Sequence, residues 1–307
     1  MGNTDPFTRT PGVAGKAYID NGVADEIIRN FRSEESAKYV YKITGLRGSG
    51  KSVEYGKIIR TLKEDKNWRV YPLSSSGDAV PDEATLTKMV ATANKKKYKV
   101  LVGVDDISKT AEMVKLLSMI GSMLLEGLQI YLVVTGLSEN IEDFSAEKNL
   151  TFFKRADERE IKELSRYDIA YMYEKLLKVE PAEARRIEAL TNGYAYAYQV
   201  LGTLYFNKDK SETLEDIIPD FERIMFKDSY DLIWRTLTNG EKEVVRCIYR
   251  SKDGSAAKIK ELMEKPASYS VYRDRLINKH LVDGDERGYL KIRLPRFDKY
   301  IEIWGDE

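Results

Sequence analysis

Eight residues, "GLRGSGKS" (Gly45–Ser52), restrict the folds open to this chain more than any other stretch. They satisfy the spacing G-x-x-x-x-G-K-[ST]. Before them lies "AKYVYKIT", rich in β-branched and aromatic residues, and after them "VEYGKIIRTLKED", an amphipathic helical pattern. Such a loop works only between a strand and a helix, because its backbone N–H groups and the helix N-terminus must converge on one anion. Gly45, Gly48, Ser49 and Gly50 are expected to wrap phosphate with backbone, joined by Val53 at the helix start. Lys51 is expected to reach the β- and γ-phosphates, serving both binding and catalysis, and the Ser52 hydroxyl to bind Mg²⁺.

A phosphate loop needs a distant acid for its metal shell. "KVLVGVDDIS" (Lys99–Ser108) is an apolar run that ends in two acids. Asp105 is read as the metal-linked acid. Asp106 is read as the group that prepares the attacking water, with a solvated strand end as the alternative. It is one methylene shorter than glutamate, which reduces its reach and points to slow hydrolysis. Thr135 ends a further apolar run, "LQIYLVVTG". It either senses the γ-phosphate or bonds to backbone. Arg155, in "FFKRAD", either reaches a phosphate, in its own chain or across a subunit interface, or pairs with Asp157 or Glu158.

Runs of strand and helix character alternate up to about residue 155, which argues for a parallel α/β sheet. From "DEREIKELSRYDIAYMYEKLL" onward the text is amphipathic and helical. Three helical segments, ending in "SYSVYRDRLINKHL", then precede "LVDGDERGYLKIRLP", a two-stranded ribbon, which together make a winged helix. The expected architecture is an α/β phosphate-loop NTPase core (1–155), a helical lid (156–225) and a winged-helix domain (226–307).

Composition removes other chemistries. One histidine, His280, makes a His-based metal site, or a Ser-His-Asp triad elsewhere in the chain, hard to build. One cysteine, Cys247, excludes an intrachain disulfide and reads as a core thiol. Lys+Arg and Asp+Glu are both 50, so no global basic field draws nucleic acid. Any such contact must be local. From Arg246 to Lys299 there are fourteen Lys/Arg against eight Asp/Glu. Arg273, Arg275 and Lys279 on the third helix, with Arg287 at the wing turn, are candidates for double-stranded DNA. Packing against the rest of the chain is the alternative. No apolar run reaches the roughly 18–20 residues of a membrane span. No secretory signal is expected at the N-terminus, and the expected compartment is the cytoplasm.

In order, "DPFTRTPG", "YKITGLRGSGKS", "TGLSENIEDF", "TNGYAYAYQVLG" and "YRDRLINKHLVDGDERGYLKIRLPRF" resemble the pieces of bacterial and archaeal AAA+/STAND ATP-binding proteins. The plan is close to that of archaeal origin-recognition-type ATPases. The resemblance implies ATP and ADP rather than GTP, and the chain also shows no guanine-specifying N-K-x-D. It implies that Pro6, Phe7, Gly15 and Lys16 lie near the adenine and that a lid at Tyr194 closes over the nucleotide. The chain departs from that pattern at Asp106, where glutamate is common, and at Ala195, which replaces a lid proline. The stretch from Gly77 to Lys99 is short. The function expected is a Mg²⁺-dependent ATPase whose nucleotide state moves lid and winged helix. The alternative is a slow or non-hydrolysing switch for protein–protein assembly or self-association.

Overall fold

The computed structural model describes residues 4–34, 38–74 and 81–305. Ala37 at the head of the first expected strand, and Gly77–Val80 of the short stretch, lie outside them. Five parallel strands form one sheet in the order β2-β3-β4-β1-β5. They are β1 (Val40–Thr44), β2 (Trp68–Ser74), β3 (Lys99–Asp105), β4 (Ile130–Thr135) and β5 (Asp157–Glu160). β1, β3 and β4 fall on the runs named above, and β2 on "WRVYPLS", which is also rich in strand-forming residues. Strands covered on both faces need apolar residues on both. Accordingly Ile130, Leu132 and Val134 pack to one side of β4, and Tyr131 and Val133 to the other.

Helices α1 (Val23–Arg32) and α2 (Lys51–Lys63) cover one face. Helices α3 (Glu83–Lys95), α4 (Ala111–Leu125), α5 (Ser138–Ser145) and α6 (Thr151–Lys154) cover the other. Gly103 in β3 lets α2 come close, since a Cβ there would lie 2.7 Å from Ile59 Cδ1 and 2.8 Å from a Tyr55 ring carbon. Register pairs Ile43 with Thr135 and Val104 with Val134, so β1, β3 and β4 end at one edge of the sheet. In open α/β sheets that edge holds the ligand site.

β5 corrects the sequence reading. The text from Asp157 reads as helical, yet Asp157–Glu160 pairs with β1, from Tyr41↔Asp157 to Thr44↔Glu160. It is an edge strand made only of charged residues. Charge suits an edge because it blocks further strand pairing. Lys42 and Glu158 lie 3.2 Å apart across it, and Arg159 lies 2.6 Å from Glu26 of α1.

The helical region comprises α7 (Arg166–Tyr173), α8 (Pro181–Ala189), α9 (Ala195–Asn207) and α10 (Leu214–Met225), and α11 (Asp231–Thr236) leads on from it. The winged helix follows as α12 (Asn239–Ser251), α13 (Ala256–Leu262) and α14 (Tyr269–Asn278), then the antiparallel pair β6 (Val282–Asp283) and β7 (Lys291–Ile292), closed by α15 (Phe297–Trp304). One continuous apolar cluster, in which Cys247 is buried, runs through lid and winged helix. The N-terminal segment joins it through Phe7, whose ring centroid lies 5.8 Å from that of Tyr173 and 5.6 Å from that of Tyr198. Gly202 leaves room for that ring, because a Cβ there would lie 2.4 Å from it.

A second glycine fixes the wing. Gly254 has φ +70°, and a Cβ on it would stand 2.1 Å from the Leu290 carbonyl oxygen. Backbone bonds from Leu290 N–H to Gly254 O (2.8 Å) and from Ala256 N–H to Gly288 O (2.8 Å) leave that carbonyl no path of retreat. Gly254→Ala is therefore expected to destabilise the protein by about 3 kcal/mol or more, adding a backbone clash to the cost of a strained φ. Urea unfolding of the variant beside the parent measures this. Among the described residues no helix is long and apolar enough to cross a membrane.

Candidate functional site

The phosphate loop leaves β1 at Gly45 and enters α2 at Lys51. Gly50 stands at the helix N-cap with φ +106°, a conformation glycine adopts without strain. Lys51 is only 8% exposed, and its ammonium donates to the carbonyls of Gly45 (3.0 Å) and Leu46 (2.8 Å). Burial pushes its pKa from the ordinary 10.5 down to about 8, while the Asp106 carboxylate acts in the opposite direction. The loop thus holds a partly desolvated cation on its own carbonyls. Ser49 Oγ is buried and has no hydrogen-bond partner among the described residues.

The structure brings the acids and Thr135 to this loop. Ser52 Oγ–H donates to Asp105 Oδ1 at 3.1 Å, and Thr135 Oγ1–H donates to the same oxygen at 2.5 Å. The Asp106 backbone N–H donates to Thr135 Oγ1 at 2.8 Å. The fully buried Thr135 hydroxyl therefore bonds to backbone, one of the two roles that the sequence left open, and to the acid at the same time. Asp106 has φ +54°, outside the usual range for an L-residue, and its side chain borders the cavity beside the loop.

That cavity measures about 440 Å³, within the range of ligand pockets. The phosphate loop, Asp106 and Thr135 form one wall, and residues 8–15 of the N-terminal segment form another. The third wall comes from Tyr194, Tyr196 and Gln199 of the lid, with Asp228 and Ser229 beyond it. Tyr194 Oη–H donates to the Arg47 carbonyl and shares a bond with Ser229 Oγ at 2.9 Å. It ties lid to loop through Arg47 backbone, while the Arg47 side chain stays exposed. Of the residues that the resemblance places near adenine, Gly15 borders the cavity, whereas Phe7 is buried in the lid cluster.

Glu54 escaped the sequence reading. It is 1% exposed and borders the same cavity. Its carboxylate accepts from Tyr18 Oη–H (2.8 Å) and from the Ala24 N–H at the start of α1 (2.9 Å). Burial pushes its pKa up. A glutamate in the first turn of a helix reads as solvated, so no sequence signal marks it. Asp228 was also missed. It accepts from Tyr196 Oη–H at 3.0 Å and lies 3.9 Å from Arg9.

Two candidates stand elsewhere. Arg155 lines a separate hollow with Lys38, Gly127 and Gln129, at the N-terminal ends of β1 and β4. This is the opposite edge of the sheet from the phosphate loop, so a phosphate contact within its own chain is corrected. Lys279 is corrected as a DNA-facing cation. Its ammonium lies 3.2 Å from Glu241, which is 1% exposed, and it also donates to the Thr236 carbonyl. Stripping that partner from a buried carboxylate is costly. Arg275 and Arg287 are exposed, and Arg273 pairs with its neighbour Asp274 at 2.8 Å. Tyr269 is buried and Tyr272 half-buried, so both tyrosines serve packing.

Similarity to known proteins concentrates on the fold. A family described as a domain of unknown function (DUF8462) matches residues 227–301. No curated protein matches the chain. The structure is similar to that of the ORC2 protein of Aeropyrum pernix, solved as ADPNP–ADP complexes, at 14% identity with a TM-score of 0.61, covering 93% of this chain and 92% of that one. It is similar to Cdc6p of Pyrobaculum aerophilum at 13% identity with a TM-score of 0.51, covering 95% of this chain and 97% of that one. The fold is thus shared with these two proteins along nearly the whole chain, as an α/β core, a helical lid and a winged helix.

Proposed function

We propose that this protein binds ATP and Mg²⁺ between the phosphate loop and the lid and hydrolyses ATP slowly, as a switch. One observation carries the reading: a single cavity has the phosphate loop, Asp106 and Thr135 on one side and Tyr194 and Ser229 on the other. A nucleotide there touches both core and lid, so its loss changes how they meet. The moving parts are the core to residue 155, the lid to residue 225 and the winged helix beyond. The ADPNP–ADP complexes of the Aeropyrum pernix ORC2 protein support the choice of adenine nucleotide.

Each residue has a task. Backbone N–H groups of Gly48 to Val53 cradle phosphate oxygens, and Lys51 leaves its loop carbonyls for the β- and γ-phosphates. Ser52 Oγ and Asp105, 3.1 Å apart, suit Mg²⁺, which takes one or two protein oxygens and fills its octahedron with phosphate and water. The bound ion supplies neutralisation of phosphate charge. Thr135 fixes Asp105 by its donated bond and Asp106 by its accepted one. Asp106 orients the attacking water. MgATP turnover by the purified protein tests the reading. Release of phosphate that requires Mg²⁺ is expected, and absence of nucleotide binding sinks it.

Arg155 favours a second element, self-association in the manner of STAND switches. It is exposed and far from its own site, so only a neighbouring subunit brings it to a phosphate. Mass in solution with and without MgATP measures this, and an unchanged monomer refutes it. Duplex DNA is the further partner proposed, through Arg275 and Arg287 with Arg273 beside them. Arg275→Glu with Arg287→Glu is expected to weaken duplex binding at low salt and to flatten its salt dependence by about two counterions. ATP affinity should not change.

A further inference from the structure

We propose that His280, in the winged helix, is a positioning residue of the nucleotide site: it straps together the two core segments that carry Thr135 and the base of the phosphate loop. The inference rests on the ATP-site reading and adds a part that lies outside the core.

His280 stands two residues beyond α14 with φ +58°. Its ring bonds to the core on both sides. Nδ1 lies 3.0 Å from Glu160 Oε1 and therefore donates to that carboxylate. Nε2 lies 2.8 Å from Ser138 Oγ. With Nδ1 carrying the proton of a neutral ring, Nε2 accepts from the serine hydroxyl.

Both partners lead straight into the site. Ser138 opens α5, three residues after Thr135, and the intervening Gly136 N–H donates to Ile43 O of β1 at 3.1 Å. Glu160 ends β5 in register with Thr44, the residue before Gly45. The next N–H, of Ile161, donates to Thr44 O at 2.8 Å. One imidazole thus spans the end of β4 and the base of the loop, and these must keep a fixed spacing for Thr135 to hold Asp105 against Ser52.

Arg293 reinforces the strap. It donates to Glu160 at 2.9 Å and to Glu163 at 2.8 Å, while its carbonyl accepts from Asn192 Nδ2 of the lid at 2.8 Å. Together His280 and Arg293 hold the Glu160 carboxyl down to about 2, the His280 bond being the larger cause. A small void of about 20 Å³ adjoins them beneath the phosphate loop, bordered by Tyr194 and by Ser49, whose hydroxyl has no partner among the described residues. The winged helix therefore reaches the underside of the loop.

Docking alone does not require these bonds. The winged helix is also held through the shared apolar cluster and the Arg296–Glu222 pair on α10. That separation supplies the control. Asparagine at 280 tolerates the positive φ and keeps an N–H for Glu160, but falls short of Ser138. Ser138→Ala removes the same bond from the other side.

The experiment compares H280N, S138A, their double variant and R296A. Each single strap variant is expected to lower kcat for MgATP about fivefold, the factor that one hydrogen bond's net worth supplies. KM should stay within about twofold, because the strap aligns rather than binds. The double variant should lose no more than either single one, since both remove one shared bond. R296A should keep the parent kcat. Parent kcat in both strap variants overturns the proposal, and so does an equal loss in R296A, which would mark general undocking.

Amide exchange without nucleotide provides a readout independent of turnover. H280N and S138A should speed exchange at 136–140 and 44–50, and R296A should not. Unchanged exchange there overturns the strap. Should the parent fail to bind MgATP, the ATP reading falls while the exchange comparison still decides the strap.

Discussion

Lys51→Ala is expected to weaken MgATP binding at least about a hundredfold while leaving the fold intact. The ammonium supplies two charge-assisted bonds, each of about 1.5–3 kcal/mol, and 1.4 kcal/mol is a factor of ten. The free protein already holds this cation poorly solvated on the Gly45 and Leu46 carbonyls, so moving it to phosphate exchanges weak partners for strong ones. Its pKa of about 8 makes the effect pH-dependent. Phosphate favours the ammonium, so affinity should fall above about pH 8 by up to about tenfold per unit, with proton uptake on binding. The stability consequence has the opposite sense. The folded value lies below the ordinary 10.5, so the charged form opposes folding, and stability from this group rises between about pH 8 and 10.5. Calorimetry in two buffers of different ionisation enthalpy measures the proton uptake. Parent-like affinity in the variant would remove the phosphate loop from the mechanism.

Asp106→Asn is expected to keep MgATP affinity within about threefold and to lower turnover about a hundredfold or more, the range for loss of a group that assists proton transfer. The substitution is clean for a structural reason. Asp106 sits at φ +54°, and asparagine is among the few residues that tolerate such a backbone. Its N–H keeps the bond to Thr135, so the Asp105 arrangement survives. Single-turnover measurement separates binding from chemistry. Unchanged turnover would make Asp106 a strand end with a cavity-facing carboxylate and no part in hydrolysis.

Some of this site is legible along the chain, and some is not, for a definite reason. The phosphate loop, the Asp105–Asp106 pair and Thr135 can be read because phosphate chemistry demands fixed residue types at the ends of apolar strands. Parallel pairing then carries those ends to one edge of the sheet. Arg155 illustrates the limit: its place in the text beside the core gives no hint that it lies at the opposite edge. β5 hides because an edge strand needs no apolar alternation, and its four charged residues imitate a helix surface.

Lys279 and Glu54 show the same limit for charge. A basic helix looks like a nucleic-acid face until the buried carboxylate that takes its lysine is seen. A glutamate early in a helix looks solvated until Tyr18 and the Ala24 N–H are found against it. His280 bonds to residues 142 and 120 positions away, Ser138 and Glu160, and no periodicity records such a meeting.

The sequence by itself determined the phosphate loop, the acids opposite it, the apolar strands and the order of core, lid and winged helix. Each of these follows from a local rule, whether backbone freedom at glycine, burial of β-branched runs, or a spacing imposed by one anion. Tertiary structure alone decided which charges are neutralised inside, how Tyr194 clamps the loop, and where the winged helix touches the site. Those outcomes depend on contacts between residues far apart in the chain, whose strength comes from burial, and burial does not exist until the parts have packed.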